Sequence, residues 1–189
     1  MRTPYKLAFS AILACCLAPV IASADAVADW RGKLAPDFKL SAASGSLQGD
    51  VQLSELLKDG PVVIVVLRGY PGYQCPICSR QVGQLIKRRS EFEAKHAQVL
   101  LIYPGDVRNL GEKADEFLKG SRLPPPLTLL LDPGYEFTDA YGLRWDAPRE
   151  TAYPTAMVIN QDGSVAWQVT SGGHGDRANP DEILSHLPN

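Results

Sequence analysis

Apolar and polar positions fall into blocks with two different periods. Residues 62–67, "VVIVVL", are continuous, β-branched and short. That pattern predicts a central strand buried on both faces. "QVLLIY" (98–103), "LTLLLD" (127–132) and "PTAMVI" (154–159) predict further strands. "SVAWQV" (164–169) follows the last of these across "NQDG", which predicts a hairpin. Between the strands the period lengthens. From Cys75 onward, Ile77, Val82, Leu85, Ile86 and Phe92 form one apolar stripe, with Lys87, Arg88 and Arg89 mostly outward, so a helix is expected. "LGEKADEFLKG" (110–120) predicts a helix ended by its glycine, and "GYEFTDAYG" (134–142) a short one. Upstream, "APDFKL" (35–40) reads as an entering segment and strand, and "SLQGDVQL" (46–53) as a hairpin turning at Gly49-Asp50. Ser54 is expected to cap a short helix that Gly60 stops, and "LPPPL" (123–127) to be extended. Asn179, followed by Pro180, is expected to cap a last helix. The order is a β-hairpin, then β-α-β-α-β-α-β-β-α. It predicts an α/β fold with a mixed central sheet and helices on both faces.

The first residues break this pattern. "MRTPYK" carries Arg2 and Lys6, an acid-free apolar run follows, and Ala22-Ser23-Ala24 is a small-x-small site. This predicts a signal peptide over residues 1–24, cleaved after Ala24, leaving one domain over 25–189. The expected location is periplasmic or extracellular. A retained membrane anchor and a lipoprotein acylated at Cys15 or Cys16 are the other readings. Net charge is −2 with both signs scattered, which lacks the basic stripe of a nucleic-acid binder. Without the first 24 residues, only Cys75 and Cys78 remain of four cysteines.

That pair lies in "LRGYPGYQCPICSRQ" (67–81), where a strand gives way to a helix. A thiolate is the attacking species in disulfide exchange, and a helix N-terminus favours it. Cys75 would stand at that end, with Pro76 in the first turn, where its missing N–H matters least. Cys78 is one turn deeper, within reach of Cys75. Cys75 is therefore the candidate attacking residue and Cys78 the resolving one. Arg68 and Arg80 are candidates for adding positive field, and Tyr73 for shielding Cys75 from water. A structural staple is disfavoured, because so short a loop stabilises by only about 2 kcal/mol. A metal site is disfavoured, because zinc wants four ligands and His96, His174 and His186 show no ligand spacing. Pro154 directly precedes a strand. Its alternatives are an ordinary strand-entry proline, or a cis Tyr153–Pro154 bond presenting a strand edge to a partner peptide.

The sequence resembles the thioredoxin-like redoxins, and most closely their peroxiredoxin-like (AhpC/TSA-type) branch. The resemblance is carried by "APDF", the segment ending in "CPIC", "LLIYPGD", "LLDPGYEFTDAYGL" and "PTAMVINQDGSVAW", in that order. It implies a thioredoxin-like fold with an N-terminal β-hairpin extension. The CxxC and the Pro154-Thr155 pair before a strand resemble the thioredoxin side. Peroxiredoxins carry a P-x-x-x-T-x-x-C pattern, but here Pro71 is only four residues before Cys75 and Gly72 holds the threonine position. Pro154 holds the position of the family's arginine. Arg68 and Arg149 are the nearby candidates to replace it.

The expected function is an exported thiol–disulfide oxidoreductase acting on a protein dithiol or disulfide. Cys75, Cys78 and Pro154 form its site, supported by Arg68, Tyr73, Pro76, Tyr153 and Thr155. The alternative is a thiol peroxidase that reduces a small hydroperoxide through a Cys75 sulfenic acid. A third reading is a module holding Cu(I) on the two thiolates, with His174 or Met157 as the nearest extra ligands. No cofactor, resident metal or nucleic-acid partner is expected, and a membrane only if the N-terminal segment is retained.

Overall fold

A computed structural model describes residues 27–106 and 108–188. The proposed signal peptide, Cys15 and Cys16 lie outside the described residues. Seven strands form one sheet: β1 (Lys39–Gly45), β2 (Asp50–Gln52), β3 (Val62–Val66), β4 (Gln98–Gly105), β5 (Leu127–Pro133), β6 (Thr155–Ile159) and β7 (Val165–Thr170). Their spatial order is β2-β1-β5-β4-β3-β6-β7. The β3–β4 and β4–β5 pairs are parallel and the others antiparallel. The fold is thioredoxin-like, with β1 and β2 forming the N-terminal hairpin.

β3 is an interior strand between β4 and β6 and is fully buried, as its branched apolar run requires. Its residues alternate between two cores. Val63 and Val65 join Cys78, Val82, Leu85, Phe92, Phe117 and Ile183 on one face. Val62, Ile64 and Val66 join Leu53, Phe137, Tyr141 and Met157 on the other. The first face is covered by α2 (Pro76–Lys87), α4 (Leu110–Leu118) and α6 (Pro180–Ser185). The second is covered by α1 (Leu53–Leu56), α5 (Glu136–Ala140) and the segment around Trp30, whose indole N–H donates to the Tyr141 carbonyl.

Three local expectations need correction. Ser54 does not cap α1, because it lies inside that helix. Asp37 of "APDF" does the work instead, accepting from the Ser54 amide and hydroxyl, both at 2.9 Å. The helix after Cys75 is split, with α3 (Arg89–Ala94) beginning after Arg88, so Phe92 packs from a separate element. "LPPPL" ends in a turn, with a cis Pro125–Pro126 bond and the Leu127 amide bonded to the Pro124 carbonyl at 3.0 Å. Asn179 caps α6, as its spacing predicts, accepting from the Glu182 amide at 3.0 Å.

Candidate active site

β3 runs on through Leu67 and Arg68 into a sharp turn at Gly69, which has φ +63°. A Cβ there would lie 1.8 Å from the Pro104 carbonyl oxygen, so only glycine fits. The chain then reaches Cys75, the N-cap of α2, with Pro76 as the first helical residue. Cys75 Sγ accepts from the Cys78 amide at 3.4 Å, as a serine oxygen does at an ordinary cap. Cys78 Sγ in turn accepts from the Arg68 amide at 3.4 Å. Both cysteines are buried free thiols.

These contacts make the two sulfurs unequal. The Cys78 thiol hydrogen-bonds to Cys75 and the Cys78 and Ile77 amides point at it, which outweighs burial and lowers the Cys75 thiol to about 5. The same hydrogen bond, together with burial and the Cys75 charge, pushes Cys78 far up. A group with a pKa near 5 is almost wholly ionised at neutral pH. The pair therefore holds one nucleophilic thiolate and one thiol that keeps its proton until Cys75 has reacted.

Arg68 takes a different part from the one expected of its side chain. Its guanidinium is buried and grips Glu150, through Nε at 3.0 Å and Nη2 at 2.8 Å. Nη2 also donates to the Arg149 carbonyl at 2.7 Å, and Nη1 to the Tyr73 hydroxyl. The guanidinium lies 4.8 Å from the Tyr73 ring centroid. The Glu150 carboxylate neutralises this cation, so Arg68 serves the dithiol mainly through its amide. Arg149 contributes a carbonyl, and Arg80 is exposed on α2.

Gly72 has φ +112°, a conformation closed to β-branched residues. The absence of threonine here is thus built into the turn. Of the two readings open for Pro154, the structure gives the ordinary strand-entry proline, since the Tyr153–Pro154 bond is trans. This segment offers no free strand edge. The Tyr153 amide donates to the Leu143 carbonyl at 2.8 Å, and the Pro154 carbonyl accepts from Ser171 at 2.8 Å. Thr155 lies in a β6 paired on both sides, and its hydroxyl bonds to the Tyr153 carbonyl and the Thr170 hydroxyl. Tyr153 itself stacks on Trp145 at 4.6 Å.

Two residues absent from the sequence expectations belong to this neighbourhood. Arg177, from "SGGHGDR", carries a charge that favours both thiolates. Gln81, buried one turn after Cys78, bonds to the Ala178 carbonyl at 3.1 Å. In the same loop His174 contacts Glu150 at 3.1 Å and stacks on Trp145. Met157 is buried on the opposite face of the sheet. The two extra ligands considered for a copper site therefore do not gather around the cysteines.

The AhpC/TSA family model matches residues 31–168. The chain belongs to the AhpC/TSA family. It is a peroxiredoxin-like redoxin, and its relatives are oxidoreductases. The chain is similar in structure to a reduced 2-Cys peroxiredoxin of Plasmodium vivax, at TM-score 0.67 and 21% identity over 83% of this chain and 79% of the other. It is similar to the peroxidoxin BcpB of Mycobacterium tuberculosis, at TM-score 0.61 and 23% identity over 83% and 95%. AhpC of the same organism gives TM-score 0.65 and 17% identity over 83% and 90%. No curated protein matches the sequence.

Proposed function

We propose that this redoxin is an exported thiol–disulfide oxidoreductase working through Cys75 and Cys78. The observation that carries the reading is the inequality of the two sulfurs, one set low by its partner's thiol and the other set high. Cys75 attacks a substrate disulfide and releases one half as a thiol. Cys78 then attacks Cys75 Sγ, frees the other half and leaves a Cys75–Cys78 disulfide. Cys78→Ser is expected to halt the cycle at the mixed disulfide, trapping partners through Cys75. A trap that captures nothing in an oxidising compartment contradicts this function.

Thiol peroxidase activity is the second reading, favoured by membership of the AhpC/TSA family. Cys75 would become a sulfenic acid on reducing a hydroperoxide, and Cys78 would condense with it, releasing water. Against this stand Gly72 and Pro154 at the positions of the family's peroxide-binding side chains. Stopped-flow mixing with hydrogen peroxide separates the two. The disulfide-exchange reading predicts a rate near that of free cysteine, and a peroxidase would be faster by orders of magnitude. Export rests on the charged, apolar and A-x-A pattern of residues 1–24. Cell fractionation tests it, together with the N-terminal sequence of the purified protein, expected to begin at Asp25.

A further inference from the structure

One turn along α2 from Cys78, at Gln81, lies a cleft of about 270 Å³, walled also by Pro154, Thr155, Asp176, Arg177 and Glu182 among others. Two of the residues that line it carry buried polar atoms with no partner among the described residues: Nε and Nη2 of Arg177 and Oε1 of Gln81. Nη1 of Arg177 donates to the carbonyls of Asp176 at 2.8 Å and Gly173 at 3.4 Å, which fixes the plane of the guanidinium. The edge left over, Nε with Nη2, is a fork that takes two carboxylate oxygens side by side. Gln81 is 3% exposed and its Nε2 is engaged with Ala178, so its free oxygen is an acceptor. Unpaired buried groups of this kind are costly, and a ligand that pairs them recovers that cost. The carboxylates of Asp176 and Glu182 exclude a second anionic group on their side and favour a cationic or N–H-bearing one.

We propose that this cleft receives a small peptide-like thiol or disulfide, its carboxylate on the Nε–Nη2 edge of Arg177 and an amide N–H on Oε1 of Gln81. The proposal rests on the dithiol reading above and names the substrate class. Cys75 Sγ attacks the bound disulfide, forming one S–S bond as the substrate's own breaks. The departing sulfur takes a proton as a thiol. Cys78 then loses its proton, closes the Cys75–Cys78 bond and releases the second half as a thiol. The dithiol is oxidised by two electrons and the substrate disulfide is reduced by two.

Two measurements test this. In the first, reduced wild type and Arg177→Gln are reacted with oxidised glutathione, which carries carboxylates, and with bis(2-hydroxyethyl) disulfide, which is neutral. The ratio of the two rates is expected to fall roughly tenfold or more in the variant, as a charge-assisted fork is lost. Arg177→Lys, which keeps charge without the fork, is expected to fall between and covers a misfolded Gln variant. Equal loss on both disulfides overturns the proposal, because an effect through Cys75 alone moves both rates alike. In the second, S-methylglutathione, which cannot exchange, is titrated into reduced protein by calorimetry. Saturable binding that Arg177→Gln abolishes supports the receptor. Absence of binding to folded wild type, or binding indifferent to Arg177, overturns it. If neither disulfide reacts while S-methylglutathione binds through Arg177, the dithiol reading fails and the receptor stands.

Discussion

Helices α2 and α6 begin in the same way. At each N-cap a side chain accepts from the amide three residues on, Cys75 from Cys78 and Asn179 from Glu182. A proline follows each cap directly, Pro76 in one and Pro180 in the other. They differ in what supplies negative charge to the helix end. The first turn of α6 holds Asp181 and Glu182, whereas the first turn of α2 holds no acid. At α2 the cap itself must ionise, and a thiol is the group there that does so. The same backbone device is structural where carboxylates satisfy the dipole and reactive where only a cysteine is available. The position of the second cysteine completes the difference, because its thiol donates to the first.

Substitutions at the two caps are the sharpest way to break this comparison. Cys75→Ser is expected to reduce disulfide exchange to background while the fold is kept, measured with the reduced protein and a neutral disulfide. Glu150→Gln comes next and acts on stability. It leaves the buried Arg68 guanidinium short of its anion, and thermal or denaturant unfolding should show a loss of about 3 to 5 kcal/mol. Gly72→Thr installs the family residue on a backbone with φ +112°. It is expected to cost about 1 to 3 kcal/mol and to leave the peroxide rate unimproved. Asn179→Ala removes a cap without touching the chemistry. A stability loss of about 1 kcal/mol with unchanged exchange is expected, and a fall in exchange would show that the two helix starts are coupled.

The caps also differ in how stability responds to pH. Cys75 has a folded pKa far below its unfolded value, so its ionised form favours the folded state. That contribution is complete above the unfolded value of about 8.5 and is lost as pH falls through the folded value of about 5. Reduced wild type should therefore gain denaturant resistance between about pH 5 and pH 8, and Cys75→Ser should lose that slope. Above about pH 8.5 the raised Cys78 acts in the opposite sense, because the unfolded chain ionises there and the folded one does not.

What could be read from the sequence was local. Cys75, Pro76 and Cys78 lie within one turn, so their spacing alone placed them at a strand-to-helix junction. Asn179 and Pro180 were legible for the same reason. The strands of the sheet followed from runs such as residues 62–67, whose burial leaves little choice of conformation. What could not be read depends on partners far apart in the chain. Arg68 meets Glu150 82 positions away, and that pairing turns its side chain from a field source into a neutralised clamp. Arg177 belongs to a glycine-rich loop with no periodicity, and only the fold brings its charge within range of Cys75. Ser54 has the right identity for a cap, yet Asp37 reaches that helix first. Pro154 looked like a presenter of backbone, but strand pairing and the 171 amide use up what it has to offer.

The central claim is that Cys75 is a thiolate at neutral pH and Cys78 is not. It is tested most directly by alkylating the reduced wild type with iodoacetamide across pH 4 to 10, with modification at each cysteine read by peptide mass spectrometry. Cys75 is expected to label with a midpoint at about 5, and Cys78 to stay unlabelled in every chain whose Cys75 is still free. A Cys75 midpoint near the ordinary value of about 8.5, or Cys78 reacting first, would contradict it.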